Sequence, residues 1–151
     1  KEADLEDMTK SRLKVVCRVR PQMRHERDEP PGVACERQVG PWISVEPENE
    51  RLEFTTAVLG PESTQRHCFV ECAEPLLQAC LGGQHSSLFA YGETGSGKTF
   101  SMLGAEGGRC PSKLDGIVPQ LCAELFRRFA SQTRQGEREY QIHATCEWLA
   151  S

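Results

Sequence analysis

Apolar and polar residues alternate along this chain at two different periods, and the changes of period mark out its elements. Over Leu13 to Arg20 (LKVVCRVR), Val15, Cys17 and Val19 alternate with Lys14, Val16 and Arg18. This predicts a strand that ends at Pro21, whose nitrogen carries no proton for a ladder. Gln22 to Gly32 is charged and proline-rich and reads as a surface loop. Short apolar pieces at Val33 to Ala34, Trp42 to Val45 and Leu52 to Val58 are separated by Gly, Pro and Asn. They predict a small meander returning in a strand near Arg51 to Val58. The period then lengthens. Ser63 and Thr64 can cap a helix in which Phe69, Cys72, Ala73, Leu76, Leu77 and Cys80 recur at helical spacing, with Gly82 and Gly83 as its stop after Leu81. Pro75 lacks a backbone donor and should kink it. Leu88 to Tyr91 has the apolar character of a short buried strand, and Lys98 to Leu103 can open a helix. Gly104 to Gly116, with four glycines and a proline, is expected to be a mobile surface loop. Ile117, Leu121, Leu125 and Phe129 share one face of a helix predicted over Ile117 to Ala130, where Pro119 is tolerable in the first turn. Ser131 to Arg138 reads as a polar connector. Tyr140, Ile142, Ala144 and Cys146 then alternate with Gln141, His143, Thr145 and Glu147 as in a final strand.

Between the predicted strand at Leu88 to Tyr91 and the helix at Lys98 lies the strongest chemical signal. Gly92, Gly97, Lys98 and Thr99 fall at the G-x-x-x-x-G-K-[ST] spacing of a phosphate-binding P-loop, in the strand, loop and helix context the motif requires. Gly92, Gly95 and Gly97 allow positive φ and close backbone approach, so that N–H groups from about Glu93 to Thr99, Thr94 and Ser96 included, can converge on an anion. Lys98 would supply charge to the β and γ phosphates, and the Thr99 hydroxyl would coordinate Mg²⁺. The competing structural reading is a glycine-rich turn with a solvated lysine.

Composition narrows the classes. The 151 residues are 38% hydrophobic and 26% charged, which fits one globular domain with a single core. A net charge of −4 gives no support to nucleic-acid binding. No apolar run is long enough for a membrane span, and no secretory leader opens the sequence. The eight cysteines (Cys17, Cys35, Cys68, Cys72, Cys80, Cys110, Cys122 and Cys146) include no C-x-x-C pair, so buried free thiols in a reducing, cytosolic compartment are expected rather than zinc. His25, His67, His85 and His143 are dispersed and do not outline a metal site. Residues 1–12 (KEADLEDMTKSR) suit a short solvated helix, and Leu5 and Met8 would also suit the end of a coiled coil.

Taken together, the segments resemble the kinesin motor domain over nearly the whole chain. KVVCRVRP resembles the first strand with its R-x-R-P signature. STQRHCFVECAEPLLQACLGGQHSSLFAYGETGSGKTFSMLG resembles the first helix, third strand and P-loop. GIVPQLCAELF resembles the helix after the loop that interrupts the second helix, and EYQIHATCEWL a later strand. The resemblance implies an α/β, P-loop NTPase-like fold: a central mixed sheet with flanking helices and a small β meander, incomplete in this chain. Residues 1–12 would be a neck and residues 13–151 a partial motor domain. It implies ATP and Mg²⁺ as cofactors, microtubules (tubulin) as partner of the parent motor, a cytoplasmic, cytoskeletal location, and homodimerisation through a neck outside this chain. It also implies an adenine wall at Arg18, Arg20 and Pro21, with Phe100 packing by the base and Tyr91 preceding the loop. Read without it, Arg18 is an exposed strand residue and Phe100 a core residue.

Two features depart from the family pattern. Glu93 replaces the usual glutamine and puts a carboxylate beside the phosphate site, which is expected to weaken nucleotide affinity. N-x-x-S-S-R-S-H and D-x-x-G-S-E, the switch motifs that in kinesins sense the γ-phosphate and place the attacking water, do not occur in these 151 residues. The expectation is a chain that holds nucleotide and hydrolyses it slowly or not at all. The alternative is a non-catalytic truncated isoform or pseudo-motor acting as an interaction or regulatory module.

Overall fold

The computed structural model describes residues 13–26, 28, 33–34, 42–45, 50–54, 56–105 and 112–134. Strand β1 (Val16–Arg18) is shorter than the alternation predicts and pairs in parallel with β5 (Ala57–Leu59), in the register Val16↔Ala57, Cys17↔Val58 and Arg18↔Leu59. The Val19 N–H extends the pairing to the Leu59 carbonyl at 2.8 Å. The meander forms a separate antiparallel sheet of β2 (Val33–Ala34), β3 (Trp42–Val45) and β4 (Glu50–Glu53). The single strand expected over Arg51 to Val58 is thus two, one in each sheet.

Among the described residues, four α-helices follow: α1 (Gln65–Cys72), α2 (Glu74–Leu81), α3 (Lys98–Leu103) and α4 (Ile117–Arg134). Thr64 caps α1 by accepting a hydrogen bond from the His67 N–H at 3.1 Å. Pro75 divides the apolar stripe into α1 and α2 at Ala73 instead of bending one helix. It occupies the first turn of α2, where its missing N–H leaves no helical bond unmade. Helix α4 continues through Ser131 to Arg134, into the segment expected as a connector.

The core formed by the described residues lies between β1–β5 and the helices. Leu59, Cys68, Phe69, Ala73 and Ile117 are buried together, and Val16, Cys72, Leu88, Met102 and Leu121 pack against them. Phe69 is fully enclosed. On β1 it is Val16, not Val15, that joins this core, and Arg18 shares its face. Parallel strands are covered on both faces, so alternation there does not separate inside from outside.

Three other expectations are corrected. Leu88 to Tyr91 has no strand pairing among the described residues: Leu88 reaches the core, but Phe89 and Tyr91 are 87% and 101% exposed. The ends of the Gly104 to Gly116 loop are pinned, because Gly104 and Asp115 form an antiparallel bridge. A Cβ on Gly116 would lie 2.5 Å from the Met102 carbonyl, so only glycine lets the two backbones cross there. Of the cysteines, Cys68 is buried and Cys17 and Cys72 half-buried, but Cys80 and Cys122 are exposed. The charged segment 1–12, the predicted final strand, and Cys35, Cys110 and Cys146 lie outside the described residues.

Candidate phosphate and base site

The loop between Tyr91 and α3 turns on its glycines. Gly92, Gly95 and Gly97 have φ of 151°, 84° and 93°, a region that side chains with a Cβ rarely adopt. A Cβ at Gly92 would also meet the Ser96 hydroxyl at 2.7 Å. The Ser96 N–H closes a turn to the Glu93 carbonyl at 3.1 Å. Lys98 opens α3 and bends back over the loop. Its ammonium donates to the carbonyls of Gly92 and Glu93, both at 2.8 Å, which anchors the charge at the centre of the turn. No side chain caps α3 at Gly97. Thr94, Thr99 and Glu93 are all exposed on the loop.

Beside the loop stands a second cluster, built from β1, α1 and α3. The Arg18 Nη1 donates to Gln65 Oε1 and to Ser101 Oγ, each at 2.8 Å, and the guanidinium lies over the Phe100 ring at 5.3 Å. This is a cation–π arrangement with a fixed cation. Gln65 Nε2 donates onward to the Phe100 carbonyl at 2.6 Å and to the Leu114 carbonyl at 3.4 Å. Gln120 on α4 braces the cluster from behind, donating to the carbonyls of Gln65 and Asp115. Arg18 also acts on the thiols beneath it. A hydrogen bond from Cys72, helped by the Arg18 charge, pulls the Cys68 thiol below its ordinary pKa against the effect of burial. The same hydrogen bond and burial push the Cys72 thiol up.

The expected site residues therefore fall into groups. The structure brings Gly92 to Thr99 into one loop and Arg18 to Phe100. Arg20, Pro21 and Tyr91 have surroundings of their own. Arg20 is engaged by Glu26 in a two-bond fork at 2.5 and 2.6 Å, Pro21 is exposed at the turn beyond, and the Tyr91 ring stands in solvent. Gln65, Ser101, Gln120 and Glu26 belong to the arrangement although no motif singles them out. The signal for Gln65 is a polar residue in line with Cys68, Phe69 and Cys72 on the apolar stripe of α1. No group of His, Cys, Asp and Glu side chains among the described residues could hold a metal by itself. No described helix is long and apolar enough to cross a membrane.

Comparison with known proteins gives the family. The kinesin motor domain profile matches residues 18–149. The chain is similar to Kinesin-like protein KIN-12B of Oryza sativa subsp. japonica, 39% identical over 92% of this chain and 13% of that protein. It is also similar to Kinesin-like protein KIF22 of Danio rerio, 35% identical over 87% of this chain and 21% of that protein. Among solved structures it is similar in fold to Drosophila NOD docked with bovine tubulin in a map of the nucleotide-free NOD–microtubule complex. That match has a TM-score of 0.68 and 22% identity over 82% of this chain and 40% of that one. A crystal structure of NOD with divalent manganese and ADP matches with a TM-score of 0.67 and 22% identity over 80% and 39%. The chain thus spans only a part of the proteins it matches, yet the profile covers most of its own length, and on that ground it belongs to the kinesin motor domain family.

Proposed function

We propose that this chain is the ATP-binding part of a kinesin-like microtubule motor, in which the whole protein couples ATP hydrolysis to microtubule-based movement in the cytoskeleton. The observation that carries this reading is the Gly92 to Thr99 loop folded around the Lys98 ammonium, with a guanidinium stacked on Phe100 immediately beyond it. The loop fits a polyphosphate. Its glycine conformations leave the backbone open to close approach, Lys98 is held at the centre of the turn by carbonyls it can release, and α3 begins without a side-chain cap. Arg18 and Phe100 present the polarisable, flat surface that suits a purine. Arg20, paired with Glu26, serves this reading by fixing the turn at Pro21 and not by direct contact. Thr99 is the residue whose hydroxyl would hold Mg²⁺, which when bound neutralises charge on the phosphate oxygens.

In this reading residues 1–12 are a neck, residues 13–151 form part of the motor domain, and microtubule contact and dimerisation belong to the parent protein. The test is calorimetric titration of Mg-ATP and Mg-ADP into the intact protein and its Lys98→Ala variant. The variant is expected to lose at least about tenfold in affinity, the scale for losing a hydrogen-bonded charge against a phosphate. Equal binding by both would overturn the reading. Glu93 favours a second one, a non-catalytic interaction or regulatory module, because a carboxylate beside the loop opposes a polyanion. Turnover that rises on addition of microtubules would exclude it.

A further inference from the structure

Among the described residues, Gln65 is the only buried polar side chain, 3% exposed on the otherwise apolar stripe of α1. We propose that Gln65 is a positioning residue for base recognition, holding the Arg18 guanidinium and the Phe100 ring in one fixed pair without itself touching the nucleotide. The proposal rests on the nucleotide-binding reading above and deepens it.

One amide serves both members of the pair. Its Oε1 accepts from Arg18 Nη1 at 2.8 Å, and its Nε2 donates to the backbone carbonyl of Phe100 at 2.6 Å. The second proton of the same Arg18 nitrogen goes to Ser101 Oγ, so the plane of the guanidinium is fixed by two acceptors. The guanidinium carbon lies over the Phe100 ring, 5.3 Å from its centroid. The chemistry at this position admits few replacements. A glutamate would set a carboxylate oxygen against the Phe100 and Leu114 carbonyls. An apolar side chain would leave an Arg18 N–H without its partner and would take from the Phe100 carbonyl one of its two donors, the other being the Gly104 N–H at 3.0 Å. Gln65 is held in turn from the far side, where its own carbonyl accepts from Gln120 Nε2 at 3.2 Å. Through its side-chain amide and its backbone carbonyl, Gln65 therefore ties α1 to β1, α3 and α4 at the edge of the phosphate loop.

The phosphate half is held differently. Lys98 donates its hydrogen bonds to the Gly92 and Glu93 carbonyls. The bonds that tie Gln65 to Arg18 and Phe100, and Arg18 to Ser101, all end outside residues 92–99. Loosening Gln65 should consequently affect the base and spare the phosphates. A merely structural role would affect both.

The experiment compares ATP with tripolyphosphate, which lacks base and sugar, in magnesium-containing titrations of the intact protein, Gln65→Met and Ser101→Ala. For Gln65→Met the expected result is about tenfold weaker ATP binding with tripolyphosphate affinity changed less than about twofold. Ser101→Ala, at a half-exposed position that tolerates the change, is expected to move ATP alone by a smaller factor and keeps the test available should Gln65→Met fail to fold. Parallel weakening of both ligands in the variants, or no change in either, would overturn the proposal. So would a wild-type protein that binds tripolyphosphate as well as ATP, because no base contribution would then exist to position. A wild-type protein that binds neither ligand would overturn the phosphate-loop reading itself and the proposal with it.

Discussion

Glu93 puts a carboxylate where a polyanion is to be held, and its side chain is exposed at the mouth of the turn closed by its own carbonyl. Charge repulsion at such a partly screened distance is on the order of 1 kcal/mol. Glu93→Gln removes it while leaving the backbone contacts to Lys98 and Ser96 in place. The expected outcome is several-fold tighter binding of ATP and ADP, read by titration at fixed ionic strength, and a smaller difference as salt is raised. Unchanged or weaker binding would show that the carboxylate is solvated away from the phosphates. Arg18 and Arg20 make the complementary point at the same scale. Two arginines two residues apart in one strand motif have different fates, one stacked on Phe100 and the other locked to Glu26, and only the partners distinguish them.

Helices α2 and α4 are joined by charge as well as by packing. Arg128 bonds both Glu74 and Glu124, and Glu124 also pairs with Arg127, placing two carboxylates and two guanidiniums in one chain of contacts. Hydrogen bonds from Arg127 and then Arg128 hold the Glu124 carboxyl down at about 2, and Arg128 likewise holds Glu74 below the ordinary carboxylate value. A carboxyl whose folded pKa is depressed stabilises the fold fully above its unfolded value and loses that contribution as pH falls through the folded one. Thermal stability is therefore expected to decline from about pH 4.3, the ordinary glutamate value, towards about pH 2. Glu124→Gln should flatten that part of the pH profile of Tm, and an unchanged slope would show that the network contributes nothing to stability. How legible such elements are in the sequence depends on what decides them. Thr64, Pro75 and the phosphate-loop glycines act through local backbone chemistry, and the sequence places the elements they bound. Strand β5 and the open run at Leu88 to Tyr91 depend on pairing partners far along the chain, and there periodicity misplaces first a boundary and then a state. The Gln65 cluster joins residues up to 83 positions apart, as between Arg18 and Ser101, and no local pattern announces it.

At the scale of the whole molecule, the described core is slight, and a large apolar surface lies outside it. Phe89 and Tyr91 are almost wholly exposed on the run that feeds the phosphate loop, while their neighbour Leu88 packs inward. Phe126 and Val118 add exposed apolar surface on α4. An apolar segment with unpaired backbone groups is a template for strand addition by another chain, and aromatic side chains displayed on it favour association further. Among the described residues, the β1–β5 sheet has two strands and few ladder bonds to oppose that. The 151-residue chain alone is accordingly expected to self-associate at micromolar concentration, to bind a hydrophobic dye, and to melt over a broad range. Phe89→Ser combined with Tyr91→Ser should lower both association and dye binding, since among the described residues these two rings supply the most exposed aromatic surface. The loop glycines and Lys98 are untouched by that change, so phosphate binding should survive in the variant. Light scattering coupled to size exclusion, followed by calorimetry, decides the matter. A monodisperse wild-type monomer with one sharp, cooperative transition would mean that the run at Leu88 to Tyr91 is covered in solution and that this surface is not a site of association.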